Sequence, residues 1–156
     1  MTAWPLGLIQ IFMSFVGSLG FSILFNVRGW KVILAALGGG VSWLLYLLME
    51  PVIPDTPYRF FICACFIALY AELLARKLKT PATTFLIPSM IPHIPGSALY
   101  ETMRFAMYKD WMACWSHAFY TFKLALALAL GSAVILTGFR VAAILRNNHK
   151  KEVIHR

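Results

Sequence analysis

The sequence predicts an all-α integral membrane protein with about five transmembrane helices, one of them broken at a segment rich in proline and glycine. Of the 156 residues, 60% are hydrophobic and the mean hydropathy is +0.74, which leaves too little polar surface to cover a soluble domain. Charged residues make up only 13%, yet the net charge is +8, so the basic excess must be concentrated in loops and a tail. These observations predict membrane helices joined by short basic connections.

Four apolar runs are long enough to cross the bilayer core, which takes about 20 residues of helix. They lie at residues 3–25, 31–49, 59–78 and 116–139. The first run has no Lys or Arg before Arg28 and no clear cleavage site, and it continues well past the length of a signal peptide. We therefore expect it to be retained as a membrane-spanning helix.

A fifth candidate span, residues 80–108, is interrupted by Pro88, Pro92, Pro95 and Gly96. Proline lacks a backbone donor and clashes with the preceding turn, so a continuous helix here would leave backbone groups unpaired at bilayer depth. The segment is therefore predicted to form two half-helices that meet near residues 92–96. Such a break persists only where protein covers the backbone or where the backbone lines a wet cavity, an arrangement that transporters use.

The distribution of Lys and Arg predicts the orientation of the spans. If the first residue is outside, ten of the 14 basic residues fall on the cytoplasmic side, as the positive-inside rule requires. Five crossings fit this distribution. Three crossings fit it equally well if the proline-rich segment and the last apolar run are re-entrant, although that run is long and apolar for such a path. The ten residues are Arg28, Lys31, Arg76, Lys77, Lys79, Arg140, Arg146, Lys150, Lys151 and Arg156.

The chain is interpreted as one transmembrane helical domain, residues 1–145, followed by a basic cytoplasmic tail, residues 146–156. Small residues within the spans would let neighbouring helix backbones approach closely. We expect such close approach at Gly17, Gly20, Gly38, Gly39, Gly40, Gly131 and Gly138.

Composition and motifs argue against several functional classes. The basic residues flank apolar runs, which positive-inside topology explains more simply than nucleic-acid binding. Cys63 and Cys65 would point to nearly opposite sides of a helix, so the cysteines are expected to be small buried apolar residues and not metal ligands. The sequence contains no H-E-x-x-H pair, no G-x-S-x-G element and no phosphate-binding loop. No enzymatic activity, cofactor or metal is expected.

Ionisable side chains inside spans are costly, and they mark either a local pair or a pathway. Glu72 lies one helical turn before Arg76 in the third span. Glu101 is similarly placed one turn before Arg104, just after the break. Each carboxylate either forms a local ion pair or carries a proton, and Glu101 has contact with a substrate as a further alternative.

The break itself supplies candidates for substrate binding. His93 either satisfies a backbone carbonyl or titrates during transport. The half-helix that begins near Ser97 would offer unpaired backbone N–H groups and the positive end of its dipole, which suit a carboxylate. Gly96 lacks a Cβ atom and is expected to permit both the turn and a close approach of the backbone. Farther along the chain, Lys123 either extends its charge to the outer interface or supplies a positive charge for an anionic substrate.

Several short motifs resemble those of the threonine/serine exporter family. The sequence F-N-V occupies residues 25–27, E-x-x-A-R occupies residues 72–76, and Pro-Ala occupies residues 81–82. The most specific element is I-P-x-x-P-G-x-x-x-Y at residues 91–100.

The resemblance extends from about Gly20 to Met107 and fits the shorter subunit that corresponds to the C-terminal half of the fused exporters. It implies an all-helical unit of ten spans, built from one fused chain or from two subunits. It also implies export of small hydroxylated amino acids or of dicarboxylates such as succinate. His93 departs from the apolar residue expected between the two prolines. The positions that match the family are Asn26, Glu72, Arg76, Pro92, Pro95, Gly96 and Tyr100.

We therefore predict a multi-pass, proton-coupled secondary exporter subunit in the bacterial inner membrane. In a chain with an odd number of spans, a second tandem copy of the unit would insert upside down, which is how inverted repeats arise. The charge bias of this chain favours a single orientation, so it cannot readily pair with an inverted copy of itself. A different, larger membrane subunit is therefore expected to supply the other half of the transporter. The alternatives are a structural or assembly subunit without its own pathway and a pore-forming channel. The candidate residues are Asn26, His93, Pro95, Gly96, Ser97 and Tyr100 for substrate, Glu72 and Glu101 for protons, and Arg76, Arg104 and Lys123 as charge partners.

The orientation can be tested by labelling single cysteines in intact cells. In a variant whose three native cysteines are replaced by alanine, Asp55→Cys should react with a membrane-impermeant maleimide, because the basic residues place this loop outside. Arg28→Cys is the matched control and should react only after permeabilisation. Labelling of position 55 only after permeabilisation would overturn the orientation.

Overall fold

The computed structural model describes the backbone of residues 3–154 and the side chains of residues 6–145. This part of the chain forms six α-helices and one short 3₁₀ turn, without any strand. The all-α architecture predicted from composition is confirmed. The helices are α1 (Ala3–Leu24), α2 (Lys31–Met49), α3 (Thr56–Leu78), α4 (Thr83–Met90), α5 (Gly96–Met107) and α6 (Trp111–Ile154), and the 3₁₀ turn, Ile91–His93, lies between α4 and α5.

Four helices are long and apolar enough to cross a membrane, and they coincide with the four apolar runs of the sequence. Most large apolar side chains on α1 and α6 are exposed at the surface of the chain, as expected for helices that face hydrocarbon. The chain is thus a multi-pass membrane protein. The four segments are Leu6–Leu24, Lys31–Met49, Thr56–Leu78 and Trp111–Leu145.

The broken helix lies where the prolines predicted it. Helix α4 has eight residues and α5 has 12, so neither reaches the length of about 20 residues that a single span needs. Between the two helices, Ile94 is extended and Pro95 occupies the N-cap position of α5. Helix α4 packs mainly against α2 and α3, whereas α5 packs mainly against α6.

Helices α5 and α6 form an antiparallel pair. The hydroxyl oxygens of Thr102 on α5 and Thr121 on α6 are 3.4 Å apart. Farther along α5, the ring of Phe105 stacks on His117, which lies nearer to the start of α6, with 4.9 Å between the ring centroids. The chain therefore turns back on itself between Met107 and Trp111.

Helix α6 runs parallel to α3. Gly131 of α6 packs on the backbone of Phe61, near the start of α3. Near the end of α3, Arg76 donates a hydrogen bond of 3.4 Å from its guanidinium to the backbone oxygen of Phe139, farther along α6. Because two consecutive long helices point the same way, α4 and α5 together must carry the chain back across the bundle. This course matches the fifth, broken crossing that the sequence predicted.

Helix α2 occupies the centre of the bundle because three successive glycines let its neighbours approach its backbone. Gly38, Gly39 and Gly40 are all buried. A Cβ atom on Gly38 would collide with Ser89 of α4, and one on Gly39 would collide with Ser18 of α1. The approach also forms hydrogen bonds, since the hydroxyl group of Ser89 donates to the backbone oxygen of Ala35 at 2.9 Å.

The remaining glycines divide into two groups. A Cβ atom on Gly131 would lie 2.5 Å from the backbone oxygen of Phe61 and 2.8 Å from Cβ of Ala64, so α6 contacts α3 closely at this point. The expectation was wrong for Gly17, Gly20 and Gly138, where a Cβ atom would meet nothing within 4 Å. These three glycines lie on faces that the chain itself leaves open.

The C-terminal end of the fold is continuous at the boundary predicted for the tail. The backbone of α6 stays helical through Ile154, with no interruption near residue 145. The division into a membrane domain and a cytoplasmic tail stays a prediction.

The two groups of glycines predict opposite effects of the same substitution. Gly39→Ala and Gly131→Ala should each destabilise the protein by about 1–3 kcal/mol, because the added methyl group overpacks a tight helix contact. Gly138→Ala, the control, should leave stability unchanged or raise it by up to about 1 kcal/mol, because alanine favours the helix. Thermal unfolding in detergent, followed by fluorescence-detected size exclusion, measures the difference. Equal unfolding midpoints for all three variants would contradict the packing at α2 and α6.

Candidate functional site

The 3₁₀ turn places His93 inside the helix bundle. His93 is fully buried, while the next residue, Ile94, is extended and 56% exposed, so the chain turns outward directly after the histidine. Three aromatic rings surround the imidazole. The ring centroids of Trp43 and Tyr46 on α2 and of Phe60 on α3 lie 5.5, 6.1 and 5.8 Å away, each in an edge-on arrangement.

Both ring nitrogens of His93 lack a hydrogen-bond partner within the described part of the chain. A neutral imidazole carries one donor and one acceptor, and leaving such a buried group unpaired costs about 1–3 kcal/mol. His93 therefore does not bond a backbone carbonyl, which was one of the two alternatives from the sequence. The imidazole is free to bond a group that the described residues do not supply.

Arg59, which the sequence analysis treated only as the beginning of a span, lies beside the same rings. Its guanidinium carbon is 4.5 Å from the centroid of Tyr46, and the residue is only 6% exposed. One terminal nitrogen makes long contacts to the backbone oxygen of Pro54 at 3.5 Å and to the hydroxyl of Thr56 at 3.4 Å. Nε and the other terminal nitrogen, Nη1, have no partner among the described residues.

The surroundings of Arg59 do not compensate its charge. A cation–π contact contributes about 2 kcal/mol at best, whereas burying an ion without a counter-charge costs several kcal/mol, on the order of the penalty measured for broken buried pairs. Asp55, four residues earlier, is exposed and forms no ion pair with Arg59. The sequence did contain a signal for Arg59. An arginine stands at the start of an apolar helix, and the nearest acidic residue, Asp55, is the N-cap residue of that helix.

A shallow cavity of about 310 Å³, open to the surface of the chain, lies between α1, α2 and the break. Trp43 connects it to the aromatic rings, because this side chain both lines the cavity and contacts His93. The indole N–H of Trp43 donates to the side-chain oxygen of Gln10 at 3.4 Å. The cavity has the size of a small-molecule site, and its walls consist of Gln10, Met13, Ser14, Gly17, Trp43, Ile91 and Pro92.

The beginning of α5 faces away from His93. The N–H group of Gly96 donates to the backbone oxygen of Ile94 at 2.7 Å, whereas the amides of Ser97 and Ala98 have no acceptor among the described residues. Ser97 is exposed, and Tyr100, one turn later, is 64% exposed. The unpaired amides predicted for this half-helix are present. Ser97 lies at the surface of the chain, whereas Ala98 is buried in a core cluster with Phe60.

The structure gives no conformational reason for glycine at position 96. Its φ is not positive, and a Cβ atom there would meet nothing within 4 Å. Ile94 and Pro95 make the turn before α5 begins, so the turn itself does not depend on the missing Cβ atom of Gly96. If the lack of a Cβ atom at Gly96 matters, it matters for the close approach of a group outside the described residues.

Asn26 lies at the opposite end of α4 from His93. It has a φ of 55° and follows the last turn of α1, where Val27 donates its N–H group to the backbone oxygen of Ser22 at 3.0 Å. Asparagine tolerates this left-handed conformation, so Asn26 has a structural role in ending α1. It also lines a groove of about 270 Å³ beside Thr83 and Thr84, at the start of α4.

Both predicted local ion pairs are present. Glu72 pairs with Arg76 at 3.4 Å, and Arg76 also lies over the ring of Phe139, so this pair joins the end of α3 to α6. Glu101 pairs with Arg104 at 2.9 Å on the surface of α5. Helix geometry places Glu72 about 18 Å along α3 from the level of Phe60, since 12 residues separate the two positions. Neither carboxylate belongs to the group of residues around His93.

Lys123 is exposed on α6, and its ammonium group lies over the ring of Phe119 at 4.8 Å. Phe119 is one turn nearer to the start of α6, the end predicted to be outside. This direction fits a lysine whose stem extends toward the interface.

Of the candidates from the sequence, the structure therefore places only His93 in the buried site. Pro95, which follows it, is half-buried, Gly96, Ser97 and Tyr100 lie on the surface, and the other candidates lie on separate faces. The site instead contains Trp43, Tyr46, Arg59 and Phe60, which come from α2 and α3. No signal in the linear sequence connected these four residues with the break.

Comparison with protein families shows what kind of protein carries this site. The family described as Threonine/Serine exporter, ThrE, matches residues 10–137, which include the break, the rings around His93, and Arg59. Curated proteins and solved structures give no match. The match covers most of the chain and agrees with the motifs, the four long apolar helices and the broken one, so the molecule is a multi-pass membrane transporter for a small molecule. The chain belongs to the threonine/serine exporter family.

Proposed function

We propose that this chain is one half of a proton-coupled secondary exporter of the bacterial inner membrane, which moves threonine and serine or dicarboxylates such as succinate and has no enzymatic activity. The observation that carries the proposal is His93, which is buried at a helix break with both ring nitrogens unpaired. A broken helix at the centre of a membrane bundle is the usual place for substrate in secondary transporters. The cavity of about 310 Å³ beside Trp43 offers room for a molecule of this size.

The second half of the transporter is proposed to be a larger membrane subunit. The first turn of α5 exposes Ser97 and Tyr100, and the amides of Ser97 and Ala98 have no acceptor among the described residues, so this helix end carries polar groups that hydrocarbon does not satisfy. A partner packed on this surface would convert the end of α5 into part of an internal pathway. Substrate sites of repeat transporters lie between the two halves, which supports the same arrangement.

A structural or assembly subunit is the second candidate, and one observation favours it. Glu72 and Glu101 are both paired with arginines of their own helices, as a chain without a pathway would have them. The buried and unpaired His93 argues against this candidate, because a purely structural position would favour an apolar ring.

Export assays with and without the partner test the proposal. Cells that express this chain together with the proposed larger subunit should release threonine, serine or succinate, and cells that express this chain alone should not. His93→Phe should abolish release but keep the unfolding temperature, since no hydrogen bond is lost. His117→Phe, which keeps the ring stack on Phe105, is the control and should export normally. Full export by this chain alone would refute the two-subunit arrangement, and unchanged export by His93→Phe would favour the assembly role.

The proton carrier can be identified from the pH dependence of export. If Glu72 carries the proton, Glu72→Gln should remove the dependence of the export rate on pH, because glutamine cannot ionise. If it only holds Arg76, the same change should lower stability slightly, by about 0.5 kcal/mol or less, and leave the pH profile intact. The same comparison applies to Glu101→Gln. Unchanged pH profiles in both variants would exclude these two carboxylates as carriers.

A further inference from the structure

We propose that Arg59 is the residue that binds the carboxylate of the substrate, with His93 as its neighbour in the same site. This inference rests on the proposed function, since it assigns a residue to the substrate of that transporter. It gives the site a positive charge, which the break alone does not provide. The aromatic rings of Trp43, Tyr46 and Phe60 would then form the walls against which the rest of a small substrate lies.

The chemistry of the guanidinium points to a carboxylate. Arginine presents N–H donors in a planar fork that matches the two oxygens of a carboxylate. In this structure Nε and Nη1 are buried and unpaired, whereas Nη2, which belongs to both edges of the fork, makes the long contacts to Pro54 and Thr56. Each edge of the guanidinium therefore keeps one free donor. The contacts to the backbone of Pro54 and the hydroxyl of Thr56 would hold the guanidinium in place while the free donors bind a ligand.

The described residues of the chain supply no carboxylate for Arg59. Glu72 and Glu101 are paired with other arginines. Glu50, Asp55 and Asp110 are exposed, and none of them forms an ion pair with Arg59. The counter-charge must therefore come from outside this part of the chain, and a substrate with a carboxylate has the required chemistry.

The geometry relates Arg59 to the cavity through two stacked rings. The guanidinium lies over Tyr46, which stacks on Trp43 with 5.0 Å between ring centroids, and Trp43 lines the cavity. His93 contacts both rings. Tyr46 and Trp43 thus separate the cavity from the charged group, and movement of these side chains would connect the two. The same rings exclude water, which strengthens the interaction of Arg59 with an anion.

The location of Arg59 adds to its positive potential. It lies in the first turn of α3, where the helix dipole is positive and where the helix has no acidic residue. A lysine or arginine is unfavourable at this end of a helix for the stability of the fold alone. The position is favourable for binding an anion, because the dipole and the side chain act in the same direction.

Transport into inside-out vesicles tests the assignment. Vesicles from cells that express this chain together with the membrane proteins encoded beside it are given radiolabelled L-threonine. Arg59→Gln should raise the KM for L-threonine by roughly 10- to 100-fold, the loss expected for a charge-assisted hydrogen bond, with little change in the maximal rate. Arg59→Lys should recover part of the affinity. Arg140→Gln, which removes an exposed arginine from the apolar helix α6, is the matched control and should transport as the wild type does.

Competition by two related compounds separates substrate binding from a structural role. L-threoninamide keeps the side chain and amine of threonine but lacks the carboxylate. The wild type should be inhibited at least about 10-fold more strongly by unlabelled L-threonine than by the amide, and this preference should disappear in Arg59→Gln. If Arg59 only holds the loop before α3, or pairs with a carboxylate of the partner subunit, the preference persists in Arg59→Gln and the proposal is wrong.

Ligand binding can also be measured without transport, from the thermal unfolding of the purified chain in complex with the proposed larger subunit. L-threonine, L-serine or succinate should raise the unfolding midpoint of the wild type, whereas L-threoninamide should not. In Arg59→Gln the three carboxylates should no longer raise the midpoint. Normal transport with an unchanged KM in Arg59→Gln overturns the role of Arg59 and leaves the exporter function intact. Wild-type vesicles that transport none of the three compounds overturn the proposed function. If carboxylates then also fail to stabilise the wild type, the role of Arg59 is overturned too.

Discussion

Close packing of neighbouring side chains on the bare backbone of Gly38, Gly39 and Gly40 is the constraint on which the rest of the structure depends. In a membrane the hydrophobic effect does not hold helices together, so contact must come from tight packing and interhelical hydrogen bonds. The three glycines supply both for α2, since they bring Ser18 and Ser89 against the helix and let Ser89 bond the backbone of Ala35. With α2 fixed at the centre, α1, α3 and α4 each have a surface on which to pack.

This packing determines where the broken helix can lie. Helix α4 is too short to be stable alone, and its contacts with α2 and α3 hold it inside the bundle. The rings of Trp43, Tyr46 and Phe60 then enclose the side chain of His93 in the turn that follows, whereas the irregular backbone at Ile94 lies at the surface of the chain. Irregular backbone at membrane depth must be enclosed by protein or line a wet cavity, so this part of the break needs a cover that the described residues do not provide. Helix α5 leaves this core and pairs with α6, which is itself held on α3 by the contact at Gly131.

Polar groups in this bundle fall into two classes. Several serines and threonines bond backbone oxygens of their own helix, and the pairs Glu72–Arg76 and Glu101–Arg104 neutralise their charges locally. His93 and Arg59 are different, because both are buried and ionisable, and donors or acceptors of each lack a partner in the described chain, a state that only the uncharged hydroxyls of Ser18 and Thr80 share. Stability alone would favour apolar residues at both positions. Their presence within a few ångströms of the same ring, Tyr46, is the strongest link between this fold and a transported anion.

The sequence by itself determined the membrane class, the four long helices, the position of the break and the two local ion pairs. These features depend on composition, on run length, on proline and on spacing of one helical turn, all of which are local along the chain. Only the tertiary structure decided that Arg59 and His93 share a site and that Ser97 and Tyr100 face outward. It also decided that neighbouring helices pack closely on Gly39 and Gly131, while nothing in the described chain packs on Gly138. Those outcomes depend on which face of each helix meets a neighbour, and packing between distant segments sets that choice.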